Sequence, residues 1–557
     1  MQKNGSDILM ECLLEQGVDC VFGYPGGAVL NIYDALYKYS DKIRHVLTAH
    51  EQGAAHAADG YARATGKVGV CIATSGPGAT NLVTGIATAY MDSVPVVAIT
   101  GNVSVPLLGR DSFQEVDITG VTMPITKHNF IVKRVEDLAD TIRQAFLIAR
   151  SGRPGPVLVD IPKDVTGAVT SYTPAEPEKK RACPPPKAER IVGAQELLKN
   201  SQKPLIYFGG GVISAEAEPE LLTLAEQQDI PVCSSMMGLG GFPPEHRLWL
   251  GMVGMHGTLA ANQAAKECDL LLVCGARFSD RVAGNRTGFA PNAQVVHLDI
   301  DHAEFDKNVT AAIRVGGDLK ESLTCLLEDL PTVSRPDWTQ TVLSYKKQVM
   351  LPAQADNAQP DPLAILKTLR QMTDDNTVLV TDVGQHQMWA AQHFEIRRPR
   401  GFLSSGGLGT MGYGMGAAIG AQFARPQDRV VLVSGDGSFH MNLNELTTLA
   451  SYQMPIVVVV MNNQVLGMVR QWQKVFYERR FSATDPHRLT DLVKLAEAFG
   501  CKGMRIETAA DIEPVLNAAL ADGGPVVVDC CISPDANVLP MIPPGGTVDD
   551  IIEEMGE

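Results

Sequence analysis

The chain has 557 residues, 45% of them hydrophobic and 20% charged, with a formal net charge of -16. This length predicts two to four domains with buried cores. The negative charge excludes nucleic acid and anionic membranes as partners, because their phosphates would repel it, and no apolar run approaches the ~20 residues of a membrane span.

The first residues, MQKNGSDILMECLLEQGV, predict an amphipathic helix and not a signal peptide. The eleven cysteines include no C-x-x-C pair, and several lie in apolar segments. This usage is typical of a reducing compartment, where thiols serve as small hydrophobic residues. We therefore expect a cytoplasmic protein.

Short β-branched runs alternate with helical patterns along the chain, which predicts parallel α/β layers. Most of the runs are apolar throughout, as strands covered on both faces should be. The predicted strands are 68–74, 95–100, 156–161, 205–208, 270–274, 295–299, 377–381, 430–434, 455–461 and 525–531.

Two stretches break this rhythm. Residues 171–188 are rich in proline and charge, and residues 331–362 begin and end with prolines. Both are predicted to be linkers. They divide the chain into an N-terminal domain (1–170), a central domain (189–330) and a C-terminal domain (363–557).

The outer two domains follow one plan. Residues 75–102 and 434–463 each run through a Gly-x-Gly turn, a helix, a turn with proline and an apolar strand, and each domain later ends in a similar strand. This order predicts an internal duplication. The second copy has Asp436 and Asn463 where the first has Pro77 and Asn102.

Asp436 lies between Gly435 and Gly437 at the carboxyl end of a predicted strand, where open α/β sheets place ligands. Asn463 closes the next strand. Mg²⁺ prefers oxygen ligands and often shares them with phosphates, so Asp436, the Asn463 amide and the Val465 carbonyl could hold it beside a diphosphate. Either motif alone could be a tight turn or a strand-end cap, but together they match the signature of thiamine-diphosphate enzymes.

Glu51 begins a helix of small residues after an apolar segment of the N-terminal domain. In thiamine enzymes a buried carboxyl group shares its proton with N1′ of the aminopyrimidine. The competing interpretation is a helix-terminal glutamate favoured by the macrodipole. Because Glu51 and Asp436 lie in different domains, we expect a dimer with the site between subunits.

Motifs along nearly the whole chain resemble one family. They include FGYPGGAVL, AHEQGAAHAADGYAR, DSFQEVDI, GARFSDRVAGN, DVGQHQMWAAQHF and NNQVLGMVRQWQ. In these motifs the chain is similar to the large, catalytic subunit of acetohydroxyacid synthase, also called acetolactate synthase. The resemblance implies an enzyme that decarboxylates pyruvate on thiamine diphosphate and transfers the hydroxyethyl group to pyruvate or 2-ketobutyrate, toward valine, leucine and isoleucine.

The same resemblance implies roles for individual residues. Gly409 would accept from the 4′-amino group, and Met411 would be the apolar wedge under the cofactor. Phe113 and Gln114 would line the reaction centre, with Lys163 on the substrate or flavin side. The full set of implied residues that contact thiamine diphosphate is Gly384, Gln385, His386, Gly409, Met411, Gly435, Gly437 and Ser438.

Trp472, with Met468 nearby, would shape the acceptor pocket to favour the larger ketoacid. The extra methylene of 2-ketobutyrate can contribute only ~1–3 kcal/mol of binding free energy in such a pocket. Contact with a flat indole ring could supply that amount. Without the surrounding motif, a tryptophan on a helix is equally a packing residue.

The central domain would bind FAD without net redox work. Its implied contacts are the glycine turn Gly209, Gly210 and Gly211, then Arg277, Asp299 and Asp301. The two aspartates could instead be solvated strand-end carboxylates. The chain departs from the family pattern at Asn102, Ser279, Met415 and Gly416, where glutamine, aspartate and Leu-Pro are common.

Three alternatives are less favoured. A pyruvate oxidase-like enzyme would share the fold and both organic cofactors, but Trp472 and its RQWQ motif argue against it. A glyoxylate carboligase would lack Glu51, and an inactive paralogue would have lost Glu51, Asp436 or Asn463, whereas all three residues are present here. The expected partners are 2-ketoacids, a second or further copies in a homodimer or tetramer, and a small regulatory subunit.

Overall fold

The computed structural model describes residues 1–178, 183–346 and 357–554. In these ranges the chain forms three six-stranded parallel sheets, each flanked by helices. The predicted α/β class with three sheet domains is confirmed. None of the helices in these ranges is long and apolar enough to cross a membrane.

The N-terminal domain contains a six-stranded parallel sheet and a separate strand pair. Its strands are β1 (Gln2–Asn4), β2 (Cys20–Gly23), β3 (Arg44–Leu47), β4 (Gly69–Ala73), β5 (Val96–Asn102), β6 (His128–Ile131), β7 (Val157–Pro162) and β8 (Val169–Ser171). Its helices are α1 (Gly5–Glu15), α2 (Leu30–Lys38), α3 (Glu51–Thr65), α4 (Pro77–Asn81), α5 (Val83–Met91), α6 (Ile118–Thr122), α7 (Leu138–Arg150) and α8 (Lys163–Gly167). The sheet order is β3-β2-β4-β5-β7-β6, while β1 and β8 form a separate antiparallel pair.

The central sheet has the order expected of a dinucleotide-binding domain. Its strands are β9 (Pro204–Phe208), β10 (Val232–Ser234), β11 (Trp249–Met252), β12 (Leu270–Cys274), β13 (Gln294–Asp299) and β14 (Ile313–Gly316). Its helices are α9 (Ala188–Asn200), α10 (Gly210–Ala215), α11 (Glu218–Gln227), α12 (Leu259–Glu267), α13 (Leu319–Leu327) and α14 (Pro336–Ser344). The order β11-β10-β9-β12-β13-β14 is 3-2-1-4-5-6 when the strands are counted within the sheet.

The C-terminal domain contains the third six-stranded parallel sheet. Its strands are β15 (Val378–Thr381), β16 (Phe402–Leu403), β17 (Val430–Gly435), β18 (Val457–Asn462), β19 (Lys502–Ile506) and β20 (Val526–Cys531). Its helices are α15 (Pro362–Met372), α16 (Gln385–His393), α17 (Tyr413–Ala424), α18 (Asp436–Asn442), α19 (Leu446–Ser451), α20 (Gly467–Phe476), α21 (Leu492–Ala498) and α22 (Ile512–Ala521). The order is β16-β15-β17-β18-β20-β19.

The outer sheets share one topology. Counted within each sheet, both have the order 2-1-3-4-6-5, and every pairing is parallel. The internal duplication predicted from the sequence is therefore present in the fold.

All ten predicted strands are found, each within two residues of its predicted bounds. The segment 331–362 is predicted as a linker, but it contains helix α14, which packs on the central domain. Its Trp338 is buried and donates a 2.9 Å hydrogen bond from Nε1 to the Pro204 carbonyl. Part of this segment, and part of 171–188, lies outside the described residues.

Helices α3 and α17 join the outer domains by backbone-to-backbone contact. A β-carbon on Gly60 would overlap the Ala417 carbonyl oxygen, and one on Gly420 would overlap the Ala57 carbonyl oxygen. Only glycine permits this approach. Around the crossing, one buried apolar cluster draws residues from both domains.

A buried ion network lies beside this crossing. Arg63 Nε is 2.6 Å from Asp59 Oδ1, and Arg63 Nη2 is 2.9 Å from Asp92 Oδ2. Both carboxylates are fully buried. The Tyr413 hydroxyl donates to Asp59 at 2.8 Å, and the amide of Gly407 donates to Asp92 at 2.7 Å. The network thus ties the N-terminal domain to the start of α17.

We expect Arg63→Leu to lower the free energy of unfolding by ~3–5 kcal/mol, because two buried carboxylates would lose their cation. Urea unfolding followed by circular dichroism measures the loss. The control is Arg134→Leu: Arg134 is 69% exposed beside Glu136, so its loss should stay within about 0.5 kcal/mol. Equal losses in the two variants would contradict the prediction.

Candidate active site at the edges of the outer sheets

The C-terminal half-site lies where three neighbouring strands end. Gly384 follows β15, Asp436 follows β17 and Asn463 follows β18. Strands β15 and β17 flank the point where the sheet order reverses, which opens a crevice for ligands. The sequence folds this way because apolar runs end in glycine, aspartate or asparagine turns.

The predicted metal ligands are brought together and buried. Asp436, Asn463 and Val465 are each less than a tenth exposed. Asn463 Oδ1 accepts from the Val465 amide at 3.2 Å, so the two residues lie in one tight turn after β18. Burial raises the pKa of Asp436 to about 6, and the Arg488 guanidinium partly offsets this. A buried carboxylate of this kind calls for a cation.

The donor set suits a hard cation. The described residues contain no cluster of three or more histidine, cysteine or acidic side chains, whereas the predicted set has one carboxylate, one amide and one carbonyl. All three are oxygen donors, which is the preference of Mg²⁺.

The cradle around this set fits a diphosphate. His386 is buried, its Nε2 finds no hydrogen-bond partner among the described residues, and burial lowers the pKa of its ring to about 3. A β-carbon on Gly435 would lie 2.8 Å from His386 Nδ1, so glycine lets the imidazole ring pack directly on the turn before Asp436. Ser438, in the same turn, donates its hydroxyl to the Val383 carbonyl at 2.6 Å.

The side chain of Gln385 is used within the protein. Its Oε1 accepts from Asn463 Nδ2 at 3.2 Å, and its Nε2 donates to Gln471 Oε1 at 3.0 Å and to the Ala536 carbonyl at 2.8 Å. This geometry makes Gln385 the residue that orients Asn463. Its predicted diphosphate contact stays a prediction.

Gly409 and Met411 lie on an open loop above the crevice. Gly409 has φ +69°, and a β-carbon there would meet only Val383. Met411 Cε would lie 3.7 Å from a β-carbon on Gly437, so the methionine reaches the turn that contains Asp436. Buried Asp382 holds the loop, accepting from the Gly412 amide at 2.9 Å.

The N-terminal half-site centres on Glu51. Its Oε2 accepts from Asn81 Nδ2 at 2.9 Å, and its Oε1 would lie 3.2 Å from a β-carbon on Gly78. Glu51 is half-buried in the chain, not buried as the sequence argument expects. No hydrogen bond or ion pair joins it to the Asp436 turn within the described ranges.

Glu445 holds the start of α3 from the C-terminal domain. It is fully buried and accepts from the amides of Ala49 (3.1 Å) and His50 (3.0 Å). Glu445 of the C-terminal domain therefore fixes the backbone directly before Glu51 of the N-terminal domain.

Of three other predicted residues of this half, Phe113 and Lys163 are exposed and Gln114 is half-buried. Phe113 is 87% exposed, and Gln114 has φ +58° on the same loop, packed against the Gly76 turn. Lys163 is the exposed first residue of α8. Their roles stay predictions.

Trp472 lies half-buried on α20, with Met468 one turn earlier against the core. The Arg281 guanidinium lies over the indole, 5.7 Å from the ring centroid, and Phe476 packs edge-on against it. The indole Nε1 finds no partner among the described residues. The tryptophan therefore joins the central domain to the C-terminal site.

The predicted flavin residues lie at the carboxyl edge of the central sheet. Gly211 packs its backbone on Gly275, its amide donating to the Gly275 carbonyl at 3.0 Å, while Gly209 and Gly210 complete that turn. Arg277 reaches out of the domain and donates to the Met91 carbonyl at 2.8 Å.

The two aspartates of this edge differ. Asp299 is buried, and burial raises the pKa of its carboxyl group to about 6. Asp301 pairs with Arg153 of the N-terminal domain at 3.1 Å. Asp301 is thus an interdomain contact rather than a solvated carboxylate.

Sequence reasoning missed several residues that support the site, namely Asn81, Asp382, Glu445 and Gln471. Asp382 directly follows an apolar strand, which was a usable signal. The others lie inside helices or helical turns, and only their partners reveal them.

Comparison with known proteins agrees with this geometry. Three family models match: the thiamine pyrophosphate enzyme N-terminal TPP-binding domain at residues 3–121, the central domain at 191–326 and the C-terminal TPP-binding domain at 382–530. A probable acetolactate synthase large subunit of Methanocaldococcus jannaschii is 48% identical, covering 99% of this chain and 95% of the relative. The chain belongs to the acetolactate synthase large-subunit family.

Two further members of the acetolactate synthase family show the same extent of likeness. The large subunit of Parasynechococcus marenigrum is 49% identical over 97% of this chain and 90% of its own length. The isozyme 2 large subunit of Escherichia coli K12 is 47% identical over 99% of this chain and 100% of its own length. The likeness spans all three domains and includes both half-sites.

We expect Gly467→Ala to weaken thiamine diphosphate binding at least about tenfold, or ~1.4 kcal/mol. A β-carbon at Gly467 would overlap Gln385 Oε1 and lie 2.7 Å from Asn463 Nδ2, so the predicted metal ligand Asn463 would shift. Calorimetric titration in excess Mg²⁺ measures the change. Gly523→Ala, where a β-carbon meets nothing within 4 Å, is the control, and wild-type affinity in Gly467→Ala would contradict the prediction.

Proposed function

We propose that the chain is the catalytic subunit of an acetolactate synthase. It would convert two molecules of pyruvate into 2-acetolactate and CO₂, or pyruvate and 2-ketobutyrate into 2-aceto-2-hydroxybutyrate. The observation that carries the proposal is the burial of Asp436, Asn463 and Val465 at the ends of two adjacent strands, next to the Gly435 turn on which His386 packs with an unpartnered Nε2. It lies within a chain that matches acetolactate synthase large subunits from end to end.

Mg²⁺ is the metal that this oxygen set supports. Asp436, Asn463 and Val465 would hold it, and His386 would donate to the diphosphate. Thiamine diphosphate, when bound, supplies the carbanion chemistry by which one ketoacid loses CO₂ and its two-carbon remainder joins a second. The protein residues orient it and exclude water.

Glu51 would hold a proton at N1′ of the aminopyrimidine. Asn81 fixes one carboxyl oxygen, which leaves the other to the cofactor. Because Glu51 and the Asp436 turn lie in different domains of the chain, we propose that each site takes Glu51 from one subunit and the metal from another. The minimum assembly is then a homodimer.

The central domain is proposed to bind FAD. Its 3-2-1-4-5-6 sheet and the close packing of its first glycine turn favour a dinucleotide. The acceptor pocket is proposed to include Trp472 and Met468, with Arg281 over the indole. Since the curated relatives are named large subunits, a smaller regulatory subunit is also proposed.

A product assay tests the proposal. Protein supplied with pyruvate, thiamine diphosphate, Mg²⁺ and FAD should form acetolactate, detected colorimetrically as acetoin after acidification. Omitting thiamine diphosphate or Mg²⁺ should abolish the product. Acetate with oxygen consumption, or acetaldehyde alone, would instead identify a pyruvate oxidase-like or decarboxylase activity and overturn the assignment.

Glu51→Gln should lower the rate of acetolactate formation about 10²–10⁴-fold, because general acid–base catalysis contributes that much. Thiamine diphosphate binding, measured by titration calorimetry, should change little. Glu136→Gln, an exposed carboxylate beside Arg134 in the same domain, should match the wild type. A Glu51→Gln enzyme with wild-type turnover would refute the role.

A further inference from the structure

An arginine outside the sequence-predicted set enters the cofactor crevice. Arg488 lies on the segment 482–491 between α20 and α21. Its Nη1 is 3.5 Å from Asp436 Oδ2 and would lie 3.9 Å from a β-carbon on Gly437. The guanidinium is therefore at the turn that is proposed to hold metal and diphosphate.

The segment is anchored on both sides of this arginine. The Leu466 amide donates to the Thr484 carbonyl at 2.8 Å, and buried Thr484 donates its hydroxyl to Gln473 at 2.8 Å. On the other side, Arg505 donates to Asp491 at 2.7 Å. Two fixed ends restrict where residue 488 can lie.

The neighbours of Arg488 point outward while it points inward. The side chain of His487 is 86% exposed and Leu489 is 99% exposed, but that of Arg488 is only 28% exposed. Of these three residues, only Arg488 turns its charged group toward the crevice. Partial burial of that charge costs solvation free energy, which an interaction inside the crevice must offset.

Asp436 alone does not satisfy the guanidinium. At 3.5 Å the pair is longer than the 2.7–2.9 Å of a charge-assisted hydrogen bond. Arg488 Nη1 is buried and finds no acceptor among the described residues. The missing partner must be an acceptor within the crevice, and a guanidinium fork matches phosphate oxygens in geometry and charge.

We infer that Arg488 is a phosphate-binding residue that contacts the diphosphate of the bound cofactor. This inference rests on the proposed function, because it takes thiamine diphosphate as the ligand. The arginine adds a positive charge from the protein to that of the metal at Asp436. It would complete the diphosphate site from a segment that is remote in sequence from the glycine turns.

The test compares Arg488→Gln with wild type by calorimetric titration in saturating Mg²⁺. We expect the affinities for thiamine diphosphate and for inorganic diphosphate each to fall about tenfold, since both ligands offer the same oxygens. Arg488→Lys, which keeps the charge but loses the fork, should show an intermediate loss. His487→Gln is the control and should bind both ligands as wild type does.

The outcomes separate the two proposals. Unchanged affinities in Arg488→Gln, or a loss for thiamine diphosphate without one for inorganic diphosphate, would overturn the role of Arg488 while leaving the proposed function intact. A wild-type protein that binds no thiamine diphosphate would overturn the proposed function itself.

Discussion

The crossing of α3 and α17 is the contact on which both half-sites depend. Helix α3 begins at Glu51, and α17 directly follows the loop of Gly409 and Met411. Glycines at the crossing let the backbones touch, so each helix is fixed to the other without adjustable side chains between them. Interfaces packed this closely transmit displacement rather than absorb it.

Polar contacts around the crossing keep it in register. Asp92 accepts from the loop before Gly409, and Glu445 accepts from the residues before Glu51. Asp92 of the N-terminal domain thus holds the loop before α17, and Glu445 of the C-terminal domain holds the start of α3. Because these carboxylates are buried, their hydrogen bonds cannot be exchanged for water at low cost, which gives the loop and the helix start defined positions.

The duplicated fold explains how one architecture performs two tasks. Both outer sheets end their third and fourth strands at the same edge, but only the C-terminal copy has an aspartate, Asp436, directly after the third strand. In the N-terminal copy the equivalent strand β5 ends in Asn102, whose amide donates to Asp160 at 2.5 Å. The polar side chains at this edge therefore bond to each other. This domain contributes to the candidate site through Glu51, at the start of α3, instead.

The ten strands found by sequence reasoning are central or near-central, while the missed ones include every sheet-edge strand, such as β3, β6 and β19. Central strands are buried on both faces and appear as apolar runs; edge strands are short or half-exposed, so their pattern resembles a loop. The order of elements and the position of the glycine turn around Asp436 at a strand end could therefore be predicted, because turn chemistry and apolar runs are local properties.

What the sequence by itself determined was the α/β class, the duplication and the oxygen-bearing residues at the strand ends, all of which depend on neighbours along the chain. Only the tertiary structure decided that Gln385 orients Asn463, that Glu51 is half-buried and that Arg488 enters the crevice. These are contacts between segments distant in sequence, and their formation depends on how the whole chain packs rather than on any local pattern.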